Sequence, residues 1–225
     1  MKQLLLDIQP SLPPTLENFV AGSNDELLQV LGNLNMLDKS QRSLTLWGEA
    51  GSGKTHLLRA AAAKVKNIGL TAIYLDAPQA DQFVEQHADL LALDNVQRLD
   101  DAAQIALFNL FNQYREQGKL LLVTSPVAPA QLTVRDDLKT RLAWGLVYQV
   151  SGLTEAEKIQ ALQSHALERG MKLPQEVIAY CLRHLRRDLP TLMATLDALD
   201  DWSLTAKKPV TIAMIRALVQ LPPEL

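Results

Sequence analysis

The sequence predicts an α/β protein: a mostly parallel sheet covered by helices on both faces, followed by a small all-helical C-terminal domain. Three observations carry this. The segment Gly48-Glu49-Ala50-Gly51-Ser52-Gly53-Lys54-Thr55 completes the pattern G-x-x-x-x-G-K-[ST] between a strand-like run, Ser43 to Trp47, and an Ala/Leu-rich helical run, His56 to Lys66. Strand-like and helical runs then alternate as far as Val150, which implies parallel strands joined by crossover helices. From Thr154 onward only helical patterns remain.

Each element has its own signal. Residues 1–14 carry Pro10, Pro13 and Pro14 and read as an extended tail. Asn24 to Leu37 places Leu27, Leu28, Leu31 and Leu34 at helical spacing. Thr71 to Leu75 is the second strand, and Pro78 to His87 a short helix or linker. Asp89 to Asp94 (DLLALD) is nearly continuous in apolar residues, as a strand buried on both faces requires. Ala103 to Gln117 follows as a helix, with Ile105, Phe108, Phe111 and Tyr114 expected as its core stripe. Lys119 to Ser125 is the next strand, Val127 to Ala143 a loop and short helix, and Leu146 to Val150 the last strand. The C-terminal helices are Thr154 to Arg169, Pro174 to Leu185, Pro190 to Ser203 and Ile212 to Leu218. Thr154-Glu155-Ala156-Glu157 opens the first of them as a capping box. The expected organisation is a tail over 1–14, an α/β domain over 15–152 and a helical lid over 153–225.

Composition narrows the function classes. In 225 residues, 48% are apolar and 21% charged, enough for a large core with ordinary surface polarity. A net charge of −3 supplies no global attraction to nucleic acid. The single cysteine, Cys181, excludes an internal disulfide, fits a reducing compartment and reads as a small core residue. His56, His87, His165 and His184 show no metal-ligand spacing. The N-terminus is too short and polar for a signal peptide, and no apolar run is long enough for a membrane span; a cytoplasmic location is expected.

The glycine loop carries the chemistry. Its backbone N–H groups curl around phosphate oxygens, the helix N-terminus adds partial positive charge, and Lys54 adds a full one. Gly48, Gly51, Ser52, Gly53, Lys54, Thr55 and His56 are the candidate phosphate and nucleotide contacts, and the Thr55 hydroxyl is a candidate magnesium ligand. Asp94, at the end of its strand, is the acid that such a site needs for the metal, at the carboxyl edge where ligands collect. Asn95 stands where many such ATPases have glutamate; an amide cannot take a proton as a base, so slow intrinsic hydrolysis is expected. Thr124 and Ser125 end the next strand, within expected reach of a terminal phosphate. Arg141, in Leu138-Lys139-Thr140-Arg141-Leu142-Ala143-Trp144-Gly145, is either a surface ion-pair partner or an arginine finger for a neighbouring subunit.

These motifs resemble the AAA+ ATPases, and within them the DnaA clade. Thr15-Leu16-Glu17-Asn18-Phe19-Val20-Ala21-Gly22 is similar to that clade's opening box, and residues 138–146 to its arginine-finger box. The resemblance spans Thr15 to about Val219. It implies an AAA+ phosphate-loop domain with a helical lid, Phe19 and Val20 in an adenine pocket, bound ADP or ATP with Mg2+, and Arg141 as a finger acting in trans. No helix-turn-helix domain follows the lid, and the connection from Asp76 to Ala88 is shorter than in initiators. The leading residues Gln3, Leu4, Leu6 and Ile8 resemble the peptide that docks on the bacterial sliding clamp, the beta subunit of DNA polymerase III, as an extended strand with a polar anchor and alternating apolar side chains.

Together these features resemble the clade's regulatory inactivators. The resemblance implies a protein that rides on the DNA-loaded clamp, meets ATP-bound DnaA and drives hydrolysis of its ATP, preventing re-initiation. DNA contact would be indirect, through the clamp, giving nucleoid association without a membrane; a homo-oligomer is left open. One departure stands out: Pro190 falls where the clade carries a sensor arginine, leaving Arg187 or Arg186 as substitutes. Arg183, His184, Arg186, Arg187, Lys207 and Lys208 read as a solvated lid surface before a DNA patch. A nucleotide-switched adaptor that recruits a replication partner without promoting hydrolysis is the alternative. An initiator fragment and a small-molecule kinase fit less well, because no duplex-reading domain and no acceptor-site motif is present.

Overall fold

The computed structural model describes residues 13–38, 41–77, 88–185 and 188–219. Gln3, Leu4, Leu6, Ile8, the 78–87 segment with His87, Arg186 and Arg187 lie outside them. The chain divides into two compact units, Pro14–Gly152 and the segment from Leu153 onward.

The first unit is a five-stranded parallel sheet in the order β2-β3-β4-β1-β5, built from β1 (Ser43–Trp47), β2 (Ala72–Asp76), β3 (Leu90–Asp94), β4 (Leu120–Ser125) and β5 (Leu146–Gln149). The helices are α1 (Asp25–Gly32), α2 (Lys54–Asn67), α3 (Asp101–Gln117) and α4 (Asp136–Leu142). Strand side chains alternate between the faces. Leu44, Leu46, Leu90, Ala92, Leu120 and Leu122 pack with α1 and α2, while Leu91, Leu93, Leu121 and Val123 pack with α3 and α4. Double coverage explains why β3 and β4 are buried along their whole length and read as unbroken apolar runs.

Two sequence expectations need correction. The stripe Ile105, Phe108, Phe111, Tyr114 is not a single core face: Tyr114 is 1% exposed, but Ile105 is 45% exposed. Steps of three residues fall short of a turn, so across nine residues the direction rotates by about half a turn. The buried face uses Ala103, Leu107, Leu110, Phe111 and Tyr114 instead. The helix expected over Asn24 to Leu37 ends at Gly32 and resumes as a 3-10 turn, Leu34–Met36. Gly32 and Asn33 are poor helix residues, and the Asn33 amide donates to the Gln29 carbonyl at 2.8 Å.

The second unit packs α5 (Glu155–Glu168), α6 (Gln175–His184), α7 (Leu189–Ala206) and α8 (Ile212–Val219) around Leu162, Val177, Ile178, Cys181, Leu192, Leu196 and Ile215. The capping box forms: Thr154 accepts from the Glu157 N–H, and the Glu157 carboxylate accepts from the Thr154 N–H. Cys181 is core, and burial pushes its thiol up to about 11. Arg169 ties α5 to α7 through Asp197, Asp200 and Asp201 at 3.0–3.4 Å. Among the described residues, no helix is long and apolar enough to cross a membrane.

Candidate functional site

The parallel order sends every strand toward one edge, and the glycine loop leaves β1 at that edge. Gly51 and Gly53 take left-handed backbone angles, φ +79° and +98°, which a side chain would strain. A Cβ on Gly53 would also stand 2.5 Å from the Phe19 ring. Gly53 is the N-cap of α2, so the first N–H groups of that helix face the loop. Ser52 is buried there, and among the described residues its hydroxyl has no hydrogen-bond partner. Lys54 Nζ donates to the Gly48 and Glu49 carbonyls at 2.6 and 2.8 Å. Burial holds the Lys54 ammonium below its usual value, with the Asp94 charge pulling the other way.

Asp94 joins the loop directly. Thr55 Oγ1 donates to Asp94 Oδ2 at 2.6 Å, and the carboxylate is 1% exposed. Two further hydroxyls converge on it: Tyr74 donates to Oδ2 at 2.9 Å, and Thr124 donates to Oδ1. Burial, above all, pushes the Tyr74 hydroxyl up to about 12, so it stays a proton donor at neutral pH. The sequence reading missed Tyr74; no local signal marks a strand tyrosine as the partner of an acid on the neighbouring strand.

Asn95 leaves β3 in a left-handed conformation, φ 59° and ψ 48°. Its amide donates to Asp76 Oδ1 at 2.7 Å and accepts from Gln97 Nε2 at 3.3 Å. The side chain is therefore engaged on both sides. Thr124 and Ser125 are buried and occupied too: Thr124 serves Asp94 and accepts the Asn95 N–H, while the Ser125 hydroxyl donates to the Val127 carbonyl at 2.8 Å.

The opening box folds onto the loop. The Thr15 carbonyl lies 2.8 Å from His56 Nε2, and the Phe19 ring tilts against the His56 ring at 5.4 Å. Val20 is half-buried. Burial, opposed by the Thr15 hydrogen bond, keeps His56 below its ordinary value. A histidine depressed in the fold contributes stability that is present above its unfolded pKa, about 6.5, and lost as pH falls through the folded one. We expect the thermal midpoint to fall as the pH drops below about 6.5, and His56→Gln to flatten that slope. An unchanged slope in the variant would refute the assignment.

A second residue missed by sequence reasoning is Asn24. Its amide donates to the Ala21 and Ser151 carbonyls at 2.9 Å, and its carbonyl accepts the Ser151 N–H at 2.9 Å. It ties the opening box to the segment after β5, a use that its place before α1 does not reveal.

Arg141 is not part of this cluster. It lies in the last turn of α4, and Gly145 just beyond it packs so closely on β1 that a Cβ would meet the Ser43 carbonyl at 1.9 Å. Ser43 begins β1 and the loop follows its end, so Arg141 belongs to the strand-entry side and Lys54 to the strand-exit side. A five-residue strand separates these edges by about 16 Å.

Comparison with known proteins fits this layout. A family model described as the bacterial DnaA ATPase domain matches residues 13–88 and 70–149, more than half of the chain. Another, described as Hda, lid domain, matches residues 155–219. The chain belongs to the DnaA-related AAA+ family, on its Hda-like branch. An uncharacterized protein of Haemophilus influenzae is 38% identical over 231 residues, covering 98% of this chain and 99% of its own. The solved structure of the replication initiator DnaA bound to AMPPCP and single-stranded DNA is 27% identical, with a TM-score of 0.68 over 86% of this chain and 67% of that one. Domain III of the Thermotoga maritima replication initiation protein DnaA shares the fold, with a TM-score of 0.69 at 23% identity over 92% and 95% of the two chains. The AAA+ architecture expected from the motifs is the observed one. Pro190 lies in the first turn of α7, where its fixed φ suits a helix start.

Proposed function

We propose that this AAA+ protein regulates replication initiation: docked on the DNA-loaded sliding clamp, it engages ATP-bound DnaA and promotes hydrolysis of that ATP through Arg141. The observation that carries the reading is the separation of Arg141 from the chain's own loop. A guanidinium away from its own phosphate loop supports a role on another subunit's phosphates, where trans fingers stabilise transition-state charge.

The chain's own loop suits a nucleotide. An orphaned Ser52 hydroxyl, left-handed glycines and a half-buried ammonium form a cradle for phosphate oxygens. The solved DnaA relative holds AMPPCP; ADP or ATP is the proposed ligand here. Thr55 and Asp94 are hard oxygen donors within hydrogen-bond reach of each other, and they fit Mg2+ as a direct and an outer ligand. The metal would supply charge neutralisation of the phosphates. Phe19 and His56 would flank the base. The Asn95 amide, which cannot take a proton as a base and is engaged by Asp76 and Gln97, supports weak intrinsic hydrolysis, and so also favours the second reading, an adaptor that holds nucleotide and recruits a partner.

The test follows phosphate release from ATP-loaded DnaA mixed with this protein, clamp and DNA. Stimulated release is expected. Deleting residues 1–8, with Gln3, Leu4, Leu6 and Ile8, should reduce it to the level seen without clamp while leaving the circular dichroism unchanged. Equal release by the truncated chain would refute the docking peptide; recruitment without any release would favour the adaptor.

A further inference from the structure

Arg141 is held in an unusual way for a surface cation. The other two cations of α4 and its N-cap are neutralised locally: Arg135 pairs with Asp137 at 2.9 Å and Lys139 with Asp136 at 3.2 Å. Among the described residues, no carboxylate lies within ion-pair distance of Arg141. Its guanidinium carbon lies 4.0 Å from the centre of the Trp144 ring and 5.2 Å from that of Phe108. Its Nε is buried and has no hydrogen-bond partner among the described residues. Arg115, at 4.5 Å, shares the same Trp144 ring.

We propose that Trp144, with Phe108, is a positioning residue that aims the Arg141 guanidinium at an anion supplied by a second protein. An ion pair would orient the side chain but cancel its charge. An aromatic face attracts the cation through its quadrupole and leaves the net charge in place. A planar guanidinium stacked on a ring also loses rotational freedom before it meets its target, which lowers the ordering cost of reaching a transition state. Two guanidiniums against one ring concentrate positive charge at this corner, a charge that a polyanion would offset. A partner's nucleotide phosphates have that chemistry.

The inference rests on the proposed trans role of Arg141, and the experiment separates the two. Single-turnover ATP hydrolysis by DnaA, with clamp and DNA, is measured against the concentration of wild type, Arg141→Ala, Trp144→Leu and Trp144→Phe. Trp144 is 50% exposed, so its truncation removes little buried surface, and the thermal midpoint checks the fold. We expect Trp144→Leu to lower the plateau rate about tenfold with the half-saturating concentration unchanged, and Trp144→Phe to restore most of it. If Trp144→Leu keeps the wild-type plateau while Arg141→Ala loses it, the finger stands and the positioning role is overturned. A rise in the half-saturating concentration alone makes Trp144 an interface contact and also overturns it. If Arg141→Ala retains full stimulation, both readings fall.

Discussion

Arg141→Ala is expected to lower the stimulated hydrolysis of DnaA-bound ATP by about 10³-fold or more, the size of effect associated with fingers acting in trans. The loss should lie in the plateau rate, because charge that develops in the transition state meets no guanidinium. Clamp binding and the variant's own nucleotide affinity should be unchanged, since the side chain lies on the strand-entry side of β1, away from Lys54. Arg141→Lys should recover little: an ammonium has neither the planar fork nor the stacking surface that Trp144 engages. Single-turnover phosphate release measures both variants. Turnover within twofold of wild type in the alanine variant would exclude the trans mechanism and leave the adaptor.

Lys54→Ala is expected to weaken nucleotide binding by this chain about 10- to 100-fold, the worth of charge-assisted hydrogen bonds to phosphate. The ligand-free protein should be no less stable. Burial already disfavours the Lys54 charge, and among the described residues its ammonium donates to two carbonyls of its own loop, at 2.6 and 2.8 Å. The two quantities separate in one experiment: the thermal midpoint without nucleotide, and its rise across a titration of ADP with Mg2+. Wild type should gain stability as the ligand exceeds its dissociation constant; the variant should need correspondingly more. An unchanged titration curve would place nucleotide binding elsewhere. A large drop in the ligand-free midpoint would show Lys54 to be a structural residue.

The loop was legible because its chemistry is local. Gly48 to Thr55 are consecutive, and their spacing alone implies strand, turn and helix start. Asp94 was legible because a phosphate loop calls for an acid at a strand's carboxyl end, and parallel topology brings that end to the loop. Tyr74 and Asn24 were not legible: their partners, Asp94 and Ser151, lie 20 and 127 residues away. Thr124 was noticed for a terminal phosphate, yet its hydroxyl is engaged by Asp94. Ile105 misled for the opposite reason: a three-residue repeat resembles a helical stripe over one step and departs from it over three.

Local order, then, was written in the chain: strand and helix periods, the capping box, the phosphate loop and the parallel sheet they imply follow from short-range sterics and from the burial of apolar faces. Three things emerged only when distant segments met. The hydroxyl cage around Asp94, the seating of the opening box on His56 and Gly53, and the packing of Phe108 against Arg141 each depend on side chains that are far apart in the sequence. A hydrogen bond or a cation over a ring depends on distances of a few ångströms, and only the folded chain sets those distances.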